Sequence, residues 1–246
     1  MKIIRLKTID STHLYAIRLV ESNSSALKDA ENIAIVAEEQ TNGIGRCKRQ
    51  WVSLKGNLFT SVIMRMPISN DLGQLSLATA CAVHEAICNY LSDESYVSDL
   101  SLHWPNDVYY KQKKISGVLL AVSNNFLIIS VGINVEKCPD DENIGRQSTC
   151  LRKIVLSNVE LHLNELLCIL LERIEMWITQ LCKAGFPDIK SYWLRNINDI
   201  NCNVTIKNGL FIVNGFFLGI DDSGKAILEN ENGRVLISSG DFFESK

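Results

Sequence analysis

Two stretches of the chain carry apolar residues at helical spacing. From Leu72 to Leu91 they fall at positions 75, 78, 82, 83, 86, 87 and 90, and from Leu161 to Leu181 at 163, 166, 167, 170, 171, 174, 177, 178 and 181. Each set is a single stripe of the 3.6-residue period and predicts a helix buried on one face. Ser11 or Thr12 is placed to cap a shorter helix running through Ile17 and Val20. Short apolar runs read as strands over Ile33 to Ala37, Leu58 to Met64, Val108 to Tyr110, Ile115 to Val122 and Phe126 to Val135. The expected class is α+β, with helices packed on a mixed, mostly antiparallel sheet.

After Trp193 the texture changes to short strands between turn signals: Asn208-Gly209, Asn214-Gly215, Asp221-Asp222-Ser223-Gly224 and Asn230-Glu231-Asn232-Gly233. That spacing predicts a small β-barrel of about five strands. The boundary is placed at Asn196, giving a main domain over 1–195 and a small barrel domain over 196–246.

Composition narrows the function classes. With 246 residues, 46% of them apolar, the chain can bury a large core and a second small one. A net charge of −3 exerts no global pull toward nucleic acid or an anionic membrane. No apolar run reaches the ~18 residues of a membrane span, and charges interrupt the segment from Met1 to Lys7. Eight cysteines are scattered without a Cys-x-x-Cys pair, which suggests neither a zinc site nor a disulfide framework. Reduced thiols in a cytoplasmic protein fit that pattern. The longest polar stretch, Cys138 to Arg146, reads as a loop.

Two segments carry the chemistry. His103-Trp104-Pro105-Asn106-Asp107 is followed by Lys114 and then Gly117. Pro105 fixes its own φ and holds Trp104 extended, so the chain enters a strand from a rigid corner. Lys111-Gln112-Lys113 makes a polar turn, and Asp107 and Lys114 are expected to face one another across the hairpin mouth. Gly117 lets another group approach the backbone. In the second segment there is no acidic residue from Gln40 to Gly56, whereas Arg46, Lys48, Arg49 and Lys55 are basic. Gly43 and Gly45 permit turns with φ > 0, and their N–H groups can point at an anion, so this loop is expected to hold negative charge. It is neither the dinucleotide fingerprint nor a phosphate loop, because Lys48 stands at the third glycine position and no Gly-Lys-Ser/Thr follows.

Taken singly these residues have plainer readings. Lys114 is a surface hairpin lysine, Asp107 and Asn106 are turn caps, and Asn134 is a strand-end turn residue. Trp51 and Trp104 can stack on a ligand or serve the core, and for Trp51 the core is favoured.

In register, the segments resemble the biotin protein ligases, also called biotin–[acetyl-CoA-carboxylase] ligases, from about Ile9 onward. The resemblance is carried by Ser11-Thr12-His13, Gly43-Ile44-Gly45-Arg46 with Trp51, His103 to Asp107 with Lys114 and Gly117, and Gly132-Ile133-Asn134. It implies activation of biotin by ATP and Mg2+ to biotinyl-5′-AMP. Biotin then passes to a lysine of the biotin carboxyl carrier protein domain of a biotin-dependent carboxylase. Under it Lys114 reaches the biotin carboxylate and the α-phosphate, and Arg46 holds the phosphate of the adenylate. Asp107 orients Lys114 or takes the proton of the incoming amine. Ser11, Thr12 and Gln40 match positions around the ureido ring, and Gly43 and Gly117 match positions where backbone lies against the ligand. Arg49, Trp51, Asn106 and Asn134 fall on the nucleotide side, Asn134 matching the asparagine that meets adenine. The resemblance also implies a C-terminal barrel of the Src-homology type and identifies no metal ligands.

Four positions depart from the pattern. Ile44 replaces an arginine, Lys48 a common glycine, His103 a lysine or arginine, and His13 an asparagine. Ten residues precede Ser11, too few for a helix-turn-helix module, so a monofunctional ligase without a nucleic-acid or membrane partner is expected. Whether it forms a homodimer is left open. The rival readings are a lipoate or octanoate ligase, a non-catalytic biotin-binding protein, and a nucleic-acid-binding barrel. Retention of Arg46 and Lys114 speaks against the second, and the absence of a basic stripe over Val204 to Ser239 against the third.

Overall fold

The computed structural model describes residues 1–22, 27, 32–65, 71–139, 147–209 and 211–244. Most of the predicted Cys138 to Arg146 loop lies outside them. Seven strands form the larger sheet: β1 (Lys2–Ile9), β2 (Asn32–Gln40), β3 (Leu58–Arg65), β4 (Leu100–His103), β5 (Asp107–Tyr110), β6 (Lys113–Ser123) and β7 (Phe126–Ile133). Their order is β1-β2-β3-β7-β6-β5-β4. β1 runs parallel to β2 and the other pairs are antiparallel, so the sheet is mixed.

Helix α1 (Thr12–Glu21) packs across β2, β3 and β7 on one face of this sheet. Its inward residues Ala16 and Val20 meet Ile33, Ile35, Ile63 and Ile128. The opposite face is covered by α2 (Leu72–Leu91), with α4 (Leu163–Ala184) packed behind it. Covering both faces is why β3 is buried at every position but its last. Lying between sheet and α4, α2 is buried nearly all round, and Ala78, Ala80, Ala82 and Ala86 let both neighbours come close. Two short helices, α3 (Glu94–Val97) and α5 (Pro187–Arg195), complete this part.

The strand-like periodicity of β1 and β4 was too short or too interrupted by charge to be predicted. In β1 the exposed residues include Lys2, Arg5 and Lys7 wherever the edge faces water, the composition expected of an edge strand.

Beyond α5 a second, antiparallel sheet holds β8 (Asn203–Asn208), β9 (Phe211–Ile220), β10 (Ala226–Asn230), β11 (Gly233–Ile237) and β12 (Asp241–Glu244). They lie in the order β11-β10-β9-β8-β12. Among the described residues no pairing of β11 with β12 closes this sheet into a barrel. One turn expectation is corrected. Asn214-Gly215 lies inside β9, and its glycine is explained by close approach, since a Cβ there would stand 2.7 Å from the Glu229 carbonyl oxygen of β10.

The two sheets share one core. Trp193, Ile206, Phe217 and Phe242 belong to the same apolar cluster as Leu77, Leu102 and Trp104. Trp104, 1% exposed, donates its indole N–H to the Gly224 carbonyl at 3.2 Å, and the Leu102 N–H bonds the Asn196 carbonyl at 2.7 Å.

The buried face of α2 also makes stability sensitive to pH. His84 is 3% exposed, its Nδ1 lies 2.9 Å from the Tyr192 hydroxyl, and burial pushes its pKa down to about 4. An unfolded histidine titrates near ~6.5, so between those values the unfolded chain binds more protons and stability rises with pH. The contribution is complete above the unfolded value and is lost as pH falls through the folded one. We expect a loss of about 2 to 3 kcal/mol between about pH 7 and pH 4 from this group. It is read from urea unfolding as a difference between the native chain and His84→Gln. Equal pH dependence in the two would refute it.

Candidate active site

One cleft gathers residues from the start of α1, the end of β2, the loop after it, the β4–β5 corner, β6, β7 and the corner before β12. Every sequence-predicted site residue except Gly43 lines it.

At one end hydroxyl and amide groups form a mesh. Gln40 Oε1 accepts from the Thr12 N–H at 2.8 Å and from its hydroxyl at 3.1 Å, while Gln40 Nε2 donates to Ser53 Oγ at 2.9 Å. Ser61 Oγ donates to Thr12 Oγ1 at 2.9 Å and lies 2.8 Å from Ser130 Oγ, which is 2.7 Å from His13 Nδ1. Burial lowers the His13 pKa, so the ring is neutral at pH 7. Ser11 caps α1 beside this mesh, its hydroxyl accepting from the Leu14 N–H at 3.5 Å. Sequence reasoning missed Ser130, although a lone hydroxyl among the apolar residues of Phe126 to Ile133 was a signal.

The middle of the cleft is apolar, walled by Val118, Leu119, Val131 and the Trp51 indole. Trp51 lies flat against Gly132, where a Cβ would stand 2.5 Å from its Cε2. The core reading favoured for Trp51 is therefore corrected: Trp104, for which both readings stood open, is core, and Trp51 is cleft wall. The indole leans there because the loop closes on itself, Gly45 N–H to Arg49 carbonyl at 2.7 Å and Trp51 N–H to Gly43 carbonyl at 2.8 Å. The Gly45 N–H is thus spent inside the loop rather than offered to an anion. Positive φ falls at Cys47 (52°) and Lys48 (59°) instead of the glycines. Gly43 is required for space, since its Cβ would meet the Trp51 carbonyl at 2.5 Å and Ser53 Oγ at 2.6 Å.

The far end is charged. Lys114 Nζ lies 2.6 Å from Asp107 Oδ2, and the side chains are 21% and 7% exposed. They meet because of a β-bulge. Asp107 pairs with Gly117 and Val108 with Ser116, but Tyr109 pairs with Lys114, leaving Ile115 as the extra residue. Segment 147–149 stabilises the bulge, with Lys114 N–H to the Gln147 carbonyl at 3.0 Å and Thr149 N–H to the Lys114 carbonyl at 2.9 Å. Gly117 is again a matter of space, its Cβ position being 3.1 Å from Lys114 Nζ. Lys114 Nζ also stands 5.6 Å above the Trp51 ring, a cation–π contact.

Arg46 reaches this end from the loop. Its guanidinium donates to Asn106 Oδ1 at 3.0 Å and to the Gly240 carbonyl at 3.2 Å. The Asn106 amide is fixed by donating from its nitrogen to the Val118 carbonyl. Arg49 pairs with Asp241 at 2.6 Å. Asn134 donates to the Thr149 carbonyl at 3.1 Å, and its Oδ1 is buried with no partner among the described residues. That open acceptor is what a ligand amine would satisfy.

His103 sits at the junction of the two sheets. Its Nδ1 is 2.9 Å from Asp199 Oδ2, its ring stacks on Tyr109 at 4.3 Å, and Phe242 meets it edge-on at 4.7 Å. Asp199 and the Gly240 to Phe242 corner were not predicted, because nothing local in the sequence ties them to the cleft. Among the described residues no group of three His, Cys, Asp or Glu side chains forms a metal cage. The cleft carboxylates Asp107 and Asp241 are both engaged by cations. The described residues do not fit a resident metal.

Chemically, the cleft can hold a molecule with a polar head in the hydroxyl–amide mesh, an apolar middle, and an anionic end between Lys114 and Arg46.

Residues 6–136 match the model of the biotin/lipoate A/B protein ligase family, and residues 200–243 match the biotin protein ligase C-terminal domain. The chain is similar to the biotin–[acetyl-CoA-carboxylase] ligase of Paracoccus denitrificans, 29% identical over 92% of this chain and 98% of that protein. It is 32% identical to the bifunctional ligase/repressor BirA of Bacillus subtilis over 95% of this chain and 71% of that one. Among solved structures, the biotin protein ligase of Aquifex aeolicus in complex with biotin and ATP superposes with a TM-score of 0.85 at 30% identity, covering 99% of both chains.

Proposed function

This chain belongs to the biotin/lipoate A/B protein ligase family, and from that premise we propose how its cleft performs biotin–protein ligation. The activity is that of a ligase that activates biotin with ATP to biotinyl-AMP and passes biotin to a protein lysine. One observation carries the assignment of parts: a neutral polar mesh and a lysine–arginine pair lie at opposite ends of a single apolar trough.

The ureido ring both donates and accepts hydrogen bonds, so it belongs with Thr12, Gln40 and Ser130, with Ser11 alongside. Its apolar tail lies along Val118, Leu119, Gly132 and Trp51, which puts the carboxylate beside Lys114. In the first half-reaction a carboxylate oxygen bonds to the α-phosphorus of ATP as the bond to pyrophosphate breaks. The obstacle is two anions approaching one another, which Lys114 and Arg46 offset without reorganising. In the second, the neutral acceptor amine attacks the acyl carbon from ~3.5 Å, AMP leaves, and the amine proton is lost. Asp107 is buried behind Lys114, which favours its orienting the ammonium over its taking that proton. Asn106, Asn134, Arg49 and the Trp51 face are assigned to the nucleotide side.

Mg2+ arriving on the phosphates of ATP, a carboxyl carrier domain as acceptor and a cytoplasmic setting belong to the same proposal. So do an SH3-like barrel formed by 196–246 and the division of the chain at that boundary. The proposal requires no homodimer.

The test is ATP–pyrophosphate exchange with biotin, octanoate and lipoate in parallel. Exchange with biotin alone is expected. Exchange only with the fatty acids would move the chain to the lipoate side of its family, and none would leave a binding protein.

A further inference from the structure

We propose that Asp241, on the C-terminal sheet, is a positioning residue for the loop that carries Arg46. It holds Arg49 in place, and Arg49 holds the turn. The inference rests on the reading of Arg46 as the residue that retains the adenylate phosphate.

Three observations meet at this point. Asp241 Oδ1 accepts from Arg49 Nη2 at 2.6 Å. Arg49 in turn bonds both arms of the turn: its Nε and backbone N–H donate to the Arg46 carbonyl at 3.3 and 3.1 Å, and its carbonyl accepts from the Gly45 N–H. Between those arms Cys47 and Lys48 sit at φ 52° and 59°, a conformation that non-glycine residues adopt at a cost. A turn of that kind persists when something outside it holds it, and here the charged outside contact of Arg49 is the carboxylate of Asp241. The neighbouring Gly240 carbonyl receives Arg46 Nη2 directly.

The anchor is itself fixed. A Cβ at Gly240 would stand 2.5 Å from Ile206 Cγ2 and 3.0 Å from the Lys207 carbonyl, so the chain turns there with no slack. Asp241 then pairs with Lys207 in the β12–β8 ladder, and Phe242 is buried against His103. A built corner of the C-terminal sheet thus presents a carbonyl and a carboxylate to the two arginines of an otherwise exposed loop. Among the described residues both partners of the Arg46 guanidinium are neutral oxygens, so an arriving phosphate offers it an anionic partner, while the Asp241–Arg49 pair keeps the backbone in place.

Asp241→Asn keeps the shape and removes the charge. The expected result is unchanged biotin affinity and thermal midpoint, with biotinyl-adenylate released about fivefold faster, the scale of a partly exposed ion pair. Asp241→Glu should restore retention, and in an Arg49→Ala background Asp241→Asn should add nothing. Cys47, exposed in the same turn, reports on the clasp without ligand: its alkylation by N-ethylmaleimide, followed by mass spectrometry, should be faster in Asp241→Asn. Native retention together with native Cys47 reactivity in that variant would overturn the inference, as would full additivity with Arg49→Ala. Absence of biotinyl-adenylate in the native chain would count against the functional reading, and Cys47 reactivity would still decide the clasp.

Discussion

Lys114→Ala is expected to slow both biotin-dependent ATP–pyrophosphate exchange and biotin transfer by about 10²- to 10³-fold, the effect of deleting one preorganised donor at a developing charge. Two electrostatic changes act together. The variant loses the ammonium at the anionic end of the trough, and it leaves the Asp107 carboxylate, 7% exposed, without that cation. A negative charge that has lost its cation then stands where two further anions must meet. Removing one member of a buried pair also costs about 3 kcal/mol of stability, so the thermal midpoint must be followed with the rates. Lys114→Met with Asp107→Asn removes both charges. That double variant should regain most of the stability and little of the activity. A folded Lys114→Ala protein working within tenfold of the native rate would refute the assignment.

Arg46→Ala is expected to behave differently. Among the described residues its guanidinium bonds only the neutral oxygens of Asn106 and Gly240, and the Asn106 amide keeps its bond to the Val118 carbonyl. No charge is orphaned, so stability should hold. Biotin affinity should also hold, because the Thr12–Gln40–Ser130 mesh lies at the opposite end of the trough. What should change is retention of the intermediate. A charge-assisted hydrogen bond to phosphate contributes about 1.5 to 3 kcal/mol, so release of biotinyl-adenylate should accelerate about 10- to 100-fold. Ile44 supplies no charge to share that load. Gel filtration of labelled adenylate complex measures it, and native retention would refute the role.

The two effects separate because the residues are tethered differently, one by a buried counter-charge and one by carbonyl groups. That distinction was not legible in the sequence. Arg46 and Lys114 were picked out by their motifs as the cations of the proposed site, but what each contacts depends on residues remote in the chain. The Arg46 partner Gly240 is 194 positions away.

Elsewhere legibility followed the range of the determining interaction. The helix over Leu72 to Leu91 has the predicted limits, because periodicity, the Asp71 cap and the left-handed Ser92 are all local. The second helix ends three residues later than its stripe, at Ala184, where Gly185 takes positive φ. The loop glycines were expected to serve positive φ and an anion, and the structure gives them another reason. Gly43 is dictated by the carbonyl of Trp51 and the hydroxyl of Ser53, a packing constraint that composition cannot express. Trp51 left the core expected for it and Trp104, open between the two readings, took a core place, because burial of an aromatic ring depends on what lies over it, and over Trp104 lies the C-terminal sheet through Gly224.

By itself, then, the sequence determined α1, α2 and α4, the central strands, the turn-rich C-terminal region and the identity of the charged groups. Each of these follows from residues within a few positions of one another. The tertiary structure alone decided which face Lys114 occupies. A regular hairpin continuing the pairing of Asp107 with Gly117 would set Lys114 opposite Tyr110, on the other side of the sheet from Asp107. The extra residue Ile115 reverses that parity, and the bulge is held by Gln147 and Thr149 rather than by its own neighbours. It likewise decided that the arginine loop rests on Gly240 and Asp241. Side-chain direction in a strand is a property of register, and register is set by the partner strand, which local pattern does not encode.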